Sequence, residues 1–127
     1  MASQEKELGH YYFDDGLIRR LSVTDSDKRI QMIIDAPISA MHKDYGGLLK
    51  RFLRRMSSSA YLDSDFRRVE IVFSGCGIST KSEFDDSDRD SRISNIRISE
   101  KGQHSVFLEA DEIELEFEYG NLEIREL

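Results

Sequence analysis

Hydrophobic and charged residues alternate strictly near the C-terminal end of the chain. The apolar positions are Ile113, Leu115, Phe117 and Tyr119, and the positions between them are Glu112, Glu114, Glu116 and Glu118. A period of two predicts a strand with one buried face and one solvated face. Gly120-Asn121 then predicts a two-residue turn, and Leu122 and Ile124 continue the apolar face in a second strand.

A two-residue turn would also determine which residues pair across this hairpin. It would place Phe117 opposite Ile124, Tyr119 opposite Leu122 and Glu116 opposite Arg125. It would place Glu118 directly opposite Glu123, and like charges in that position destabilise a sheet. Three explanations for so many carboxylates remain open: contact with the basic helix of the same chain, contact with a basic partner, and solubility.

The same alternation predicts five further strands. They are Leu17 to Thr24, Arg29 to Ala36, Arg67 to Ser74, Ile93 to Ser99 and His104 to Glu109. Their predicted inward residues include Leu17, Leu21 and Val23 in the first, Ile30, Met32 and Ile34 in the second, and Val69, Ile71 and Phe73 in the third. The connections between most neighbouring stretches are short, which favours antiparallel pairing.

One stretch has helical spacing instead. Its apolar residues are Leu48, Leu49, Phe52, Leu53 and Met56, and its basic residues are Lys50, Arg51, Arg54 and Arg55. This pattern predicts an amphipathic helix over about Gly46 to Ser57, with Asp44 as a candidate N-cap. We expect the apolar stripe to pack on the sheet and the basic face to meet solvent.

Together these elements predict an α+β fold in a single domain spanning residues 1–127. Its main part would be an antiparallel sheet of about six to seven strands, bent or shaped as a half-barrel, with the helix packed on it. A chain of 127 residues can bury a core of its own.

Charge is distributed unevenly along the chain. The formal net charge is −7, with +1 in residues 1–63 and −8 in residues 64–127. This asymmetry argues against nucleic acid as a partner of the second half and favours a basic protein. Cys76 is the single cysteine, and no apolar run suits a signal peptide or a membrane span. We therefore expect a cytoplasmic protein that does not bind membranes, as a monomer or homodimer.

An acidic loop between the predicted strands begins like a calcium-binding loop. Asp86, Asp88 and Asp90 match its first three ligand positions. Ser91 stands where that loop needs glycine, and Arg97 stands where it needs a bidentate glutamate. We therefore expect a solvated loop and no metal site.

Nucleophilic and acid–base chemistry has few candidates in this sequence. Cys76 lies between two glycines, and the three histidines have no spacing typical of a metal or catalytic site. The alternative that remains is a small ligand-binding or enzymatic domain with a site near His10, Asp14, Asp15 or Cys76. We expect no enzymatic activity and no cofactor.

The opening Phe13-Asp14-Asp15-Gly16-Leu17-Ile18-Arg19-Arg20-Leu21 resembles the start of small bacterial immunity proteins, including the immunity protein 50 family. Those proteins continue with a hairpin, have a strand similar to Arg68–Gly75, and end on strands of alternating charge. The resemblance implies an immunity protein, or antitoxin, that neutralises a cognate toxin of the kind used in contact-dependent growth inhibition. It implies binding without catalysis, and a basic nuclease-type domain would suit the acidic surface.

The predicted partner-binding residues are all acidic and lie in the second half of the chain. They are Asp85, Asp86, Asp88, Asp111, Glu112, Glu114, Glu116, Glu118 and Glu123. The sequence leaves open whether the strand face or the Ser/Asp loop is the interface.

Overall fold

The computed structural model describes residues 6–24, 26, 28–58, 61–82, 90–99, 103–111 and 113–127. Within these ranges, eight strands form one antiparallel sheet. They are β1 (Leu17–Thr24), β2 (Arg29–Pro37), β3 (Phe66–Ser74), β4 (Gly77–Lys81), β5 (Ser91–Ile98), β6 (Ser105–Ala110), β7 (Ile113–Glu118) and β8 (Asn121–Glu126). The helix α1 spans Leu48–Met56, and short 3₁₀ turns span Glu7–His10, Phe13–Asp15 and Asp63–Asp65.

The described strands follow the order β4-β7-β6-β5-β1-β2-β3-β8, so β4 and β8 are the two edges of an open sheet. Strand β5 joins its two halves. The first residues of β5, Ser91 and Arg92, pair with β1, and Ile93–Ile98 pairs with β6. One half therefore contains β1, β2, β3 and β8, and the other contains β4, β5, β6 and β7.

The two halves face each other across a shared apolar core. Phe73 of β3 lies with its ring centroid 5.0 Å from that of Phe117 of β7 and 5.1 Å from that of Tyr119. These contacts join strands that are far apart in the sheet order, so the sheet is folded over on itself. Edge-to-face aromatic packing adds about 0.5–1.5 kcal/mol per pair to the gain from burial.

The prediction that the last two strands pair with each other as a hairpin is wrong. Strands β7 and β8 lie in different halves: β7 pairs with β4 and β6, whereas β8 pairs with β3. The chain crosses between the halves at Gly120, whose amide donates a hydrogen bond to Ser74 O at 2.9 Å. Gly75, with a φ of 66°, makes the crossing from β3 to β4 beside it. The local turn signal was outweighed by the aromatic contacts between the halves.

The remaining strands match their predicted positions closely. The predicted inward residues of β2 and β3 are all fully buried. In β1 the pairing shifts between Ile18 and Arg20, and this irregularity buries Ile18 in place of the predicted Leu17. The eighth strand, β4, was not predicted. All five of its residues are exposed, so the sequence there has no apolar face to indicate a strand.

The helix is shorter than predicted, and its apolar stripe is not buried. It begins after Gly47, which provides no side-chain cap, so the predicted N-cap Asp44 is wrong. Its predicted apolar stripe faces solvent: Leu48, Leu49, Phe52, Leu53 and Met56 have exposed fractions between 43 % and 82 %. Arg54, from the predicted solvated face, is 6 % exposed. The described helices include none long and apolar enough to cross a membrane.

Arg54 accounts for this orientation. Its Nε and Nη2 donate to the two carboxylate oxygens of Asp65, at 2.8 and 2.6 Å, and Nη2 also donates to Tyr45 O. Arg54 follows Phe52 by two residues, or about 200° around a helix. Anchoring Arg54 against the body of the protein therefore turns the apolar stripe outward.

Candidate functional site

The outer face of the half that contains β7 has four exposed glutamates, which we call the acidic ladder. They are Glu109 on β6 and Glu114, Glu116 and Glu118 on β7. Their apolar neighbours on the same strands point into the core, so the alternation seen in the sequence places all four carboxylates on one surface. Three of the nine predicted partner-binding residues, Glu114, Glu116 and Glu118, thus share this face. Glu109 also lies on it and was not among the predicted residues.

Repulsion is strongest at one pair in the ladder. Glu109 lies directly opposite Glu114, while Glu116 and Glu118 lie opposite Phe107 and Ser105. A like-charge pair in register destabilises a sheet. The sequence predicted such a pair, but between Glu118 and Glu123.

The acidic ladder has no ion pair within the described part of the chain. None of the four carboxylates there forms an ion pair or a side-chain hydrogen bond with another described residue. Two basic residues of α1 have other partners, because Lys50 donates to Asp44 O and Arg54 binds Asp65. The other two, Arg51 and Arg55, form no ion pair with the ladder. Contact with the chain's own helix is therefore not the explanation for the charge.

Edge protection does not explain the ladder either. Carboxylates and lysines often guard exposed strand edges against unwanted pairing. Strand β7, however, is an interior strand that has β4 on one side and β6 on the other. The acidic ladder therefore lies in the middle of a sheet half, on its open face.

The other predicted partner-binding residues do not extend this face. Glu123 is exposed on β8 and pairs with Val72 in the opposite half of the sheet. Asp111 forms the turn between β6 and β7, where its carboxylate accepts a hydrogen bond from the Arg92 amide at 3.0 Å. Asp85, Asp86, Asp88 and Glu112 lie outside the described residues.

A polar cluster that the sequence did not predict lies near the C-terminal end of β8. The Glu126 carboxylate accepts a hydrogen bond from Tyr11 Oη at 2.8 Å and contacts His42 Nε2 at 2.9 Å. His42 Nδ1 accepts from the Asp44 amide at 3.0 Å, so the ring proton resides on Nε2 and is donated to Glu126. Burial acts to raise the pKa of Glu126, but these two hydrogen bonds hold it below its ordinary value.

The residues proposed for a ligand or catalytic site are dispersed, and each has a local structural role. Asp14 accepts from the Ile96 amide at 3.0 Å, and Asp15 accepts from Tyr61 Oη. Cys76 is buried beside β2, and this burial raises the pKa of its thiol, which disfavours the reactive thiolate. The His10 ring contacts the rings of Tyr11 and His42.

Metal-binding groups of three or more His, Cys, Asp or Glu side chains are absent from the described residues. Of the three aspartates in the calcium-like loop, only Asp90 lies within the described residues, and the later loop positions Ser91 and Arg97 belong to β5. Asp90 forms an ion pair with Arg19 Nη1 at 2.7 Å.

Beside α1 there is a basic pocket, which we define by its lining residues. It has a volume of about 410 Å³ and is lined by Ala40, Tyr45, Arg51, Arg54 and Arg55. The Arg54 guanidinium lies 3.7 Å from the centroid of the Tyr45 ring. Sequence reasoning missed this pocket because the helical pattern alone placed these arginines in solvent.

No protein-family model, curated protein or solved structure matches this chain.

Proposed function

We propose that this chain is a cytoplasmic binding protein of the immunity type, which recognises a basic partner protein through the acidic ladder. The observation that carries the proposal is the set of four exposed carboxylates, none in an ion pair with a described residue, on one face of β6 and β7. Two of them are directly opposed, an arrangement that costs folding stability. A cationic partner would remove that repulsion on binding.

The chemistry of the ladder favours a protein partner with a basic surface. A field of carboxylates repels nucleic acid and attracts lysine and arginine side chains. Complementary charge accelerates association and makes it sensitive to salt. The resemblance of Phe13–Leu21 to immunity proteins adds the class of partner, a toxin domain of the basic nuclease type, and binding would block the toxin without catalysis.

The first prediction is that a neighbouring gene encodes a toxin domain and that this chain binds it. Binding of that purified domain would be measured by calorimetry with the native chain and with the variant E114Q/E116Q. We expect the dissociation constant to rise at least about tenfold in the variant, a loss of about 1.4 kcal/mol. We also expect native binding to weaken steeply between about 0.05 M and 0.5 M salt, because screening acts on exposed charges.

The matched control removes the same number of charges elsewhere. The variant E7Q/D63N alters two exposed carboxylates outside the ladder, Glu7 in the first 3₁₀ turn and Asp63 in the third. We expect its dissociation constant to stay within about twofold of the native value. Equal weakening in both variants would indicate a general charge effect, and unchanged binding in E114Q/E116Q would place the interface elsewhere.

A further inference from the structure

Arg54, which lines the basic pocket beside α1, has one buried nitrogen without a hydrogen-bond partner. Arg54 uses Nε and Nη2 for Asp65 and for Tyr45 O. Its remaining terminal nitrogen, Nη1, is buried and forms no hydrogen bond in the structure. A buried donor of a charged group that is left unsatisfied destabilises the folded state, so such a group calls for an explanation.

Two further arginines complete the lining of this pocket. Arg51 and Arg55 are exposed, and neither forms an ion pair with another residue in the described ranges. Asp65 neutralises Arg54 from the opposite edge of its guanidinium, which leaves the pocket with the uncompensated charge of Arg51 and Arg55. The pocket is therefore a local positive site in a chain whose net charge is −7.

The chemistry of the lining identifies the class of ligand. Guanidinium groups present planar forks of donors that match phosphate and carboxylate oxygens. A volume of about 410 Å³ lies within the range of small-molecule sites and exceeds the space that a single phosphate needs. Tyr45 covers one face of Arg54, which fixes the orientation of its guanidinium.

We propose that Arg51, Arg54 and Arg55, with Tyr45, form a binding site for a phosphate group carried by a larger molecule. The forks of Arg51 and Arg55 would donate to the phosphate oxygens, and Arg54 would line the wall of the site between them. This site is separate from the acidic ladder, and the proposal does not depend on the function proposed above.

Two sources could supply this phosphate group. One is a soluble phosphate compound. The other is the headgroup of an anionic phospholipid, because the exposed apolar stripe of Leu48, Leu49, Phe52 and Met56 lies on the same helix. Basic residues beside an exposed apolar stripe are typical of helices that lie on an anionic membrane surface.

The experiment uses the full chain with inorganic pyrophosphate and with vesicles. Calorimetry would measure pyrophosphate binding, and co-sedimentation would measure binding to vesicles of phosphatidylcholine with and without phosphatidylglycerol. We expect the native chain to bind one pyrophosphate per molecule, or the phosphatidylglycerol vesicles, and R51A/R55A to lose at least about tenfold in affinity. Pyrophosphate binding identifies the soluble source, and binding to vesicles alone identifies the lipid source.

The controls separate a pocket from general attraction to anions. R51A/R55A leaves the Arg54–Asp65 pair in place, and a thermal melt would verify its fold. R92A removes one exposed arginine on β5, outside the pocket, and should change affinity less than about twofold. Absence of binding to both probes would overturn the proposal, as would an equal loss in R92A and R51A/R55A.

Discussion

At the scale of single residues, the pair Arg54–Asp65 determines how α1 is attached to the protein. Both side chains are buried, and two hydrogen bonds join the guanidinium to the carboxylate. Asp65 also accepts from the Leu62 amide at 2.8 Å, and the hydrogen bond from Arg54 is the main cause that lowers the pKa of Asp65. Nothing in the spacing of the sequence relates these two residues, because their partnership depends on how the segment between them folds back.

The second prediction is a double-mutant cycle on this pair. Removing either partner with Arg54→Met or Asp65→Leu leaves a buried charge uncompensated, at a cost of about 3–5 kcal/mol. The double variant should cost much less than the sum of the two, because it leaves no buried charge behind. Urea denaturation would give all four free energies of unfolding.

An exposed ion pair provides the matched control. Arg125 Nε donates to Glu70 Oε1 at 2.8 Å, but the Arg125 side chain is 71 % exposed. Arg125→Met should therefore cost less than about 1 kcal/mol. Additive free energies in the Arg54–Asp65 cycle would show that the two residues stabilise the protein independently.

At the scale of elements, α1 and β7 have equally clear periodic patterns, but only one of them buries its apolar face. In β7, Leu115 and Phe117 are fully buried. In α1, Leu49 and Phe52 are exposed. The pattern of the helix correctly predicted which residues share a face and wrongly predicted which way that face points, because an amphipathic pattern does not specify the partner surface.

The third prediction compares two phenylalanines of these elements. Phe117→Ala should destabilise the protein by about 3–5 kcal/mol, because it opens a cavity in the core between the sheet halves. Phe52→Ala should change the free energy of unfolding by no more than about 0.5 kcal/mol, because its ring contacts solvent. Chemical denaturation of both variants would test this, and a large cost for Phe52→Ala would mean that the apolar stripe packs against the protein.

At the scale of the whole molecule, carboxylates join parts of the chain that are distant in sequence. Asp35 on β2 pairs with Arg19 of β1 and Arg68 of β3. Glu126 joins the last strand to Tyr11 and His42. Burial acts to raise the pKa of Asp35 and Glu126, but hydrogen bonds from these neighbours lower it below the ordinary value. The pKa of Asp65 is lowered in the same way, by its hydrogen bond from Arg54.

The fourth prediction follows from these lowered pKa values. Below the ordinary carboxyl pKa of 3.8 for Asp35 and Asp65 and 4.5 for Glu126, the unfolded chain binds more protons than the folded chain. Stability contributed by these groups is therefore complete above about pH 5 and is lost as the pH falls through the lower folded values. Thermal melts at decreasing pH would follow this loss.

Glu126→Gln tests one part of the acid dependence. The variant should be less stable than the native protein at neutral pH, and the difference should narrow as the pH falls, because protonation removes the same charge from the native Glu126. A difference that is constant with pH would show that the Glu126 charge does not contribute to stability.

The sequence by itself determined the positions of seven of the eight described strands and, for most of their residues, which face is buried. Both depend on local alternation, which operates within a few residues. It also determined that the carboxylates of β7 would lie on one side of the strand. Only the tertiary structure decided that β7 and β8 separate, that the ladder includes Glu109, and that the helix buries Arg54. These features arise from contacts between residues distant in sequence, Phe73 with Phe117 and Arg54 with Asp65. Local alternation cannot predict such contacts, because it relates only residues a few positions apart.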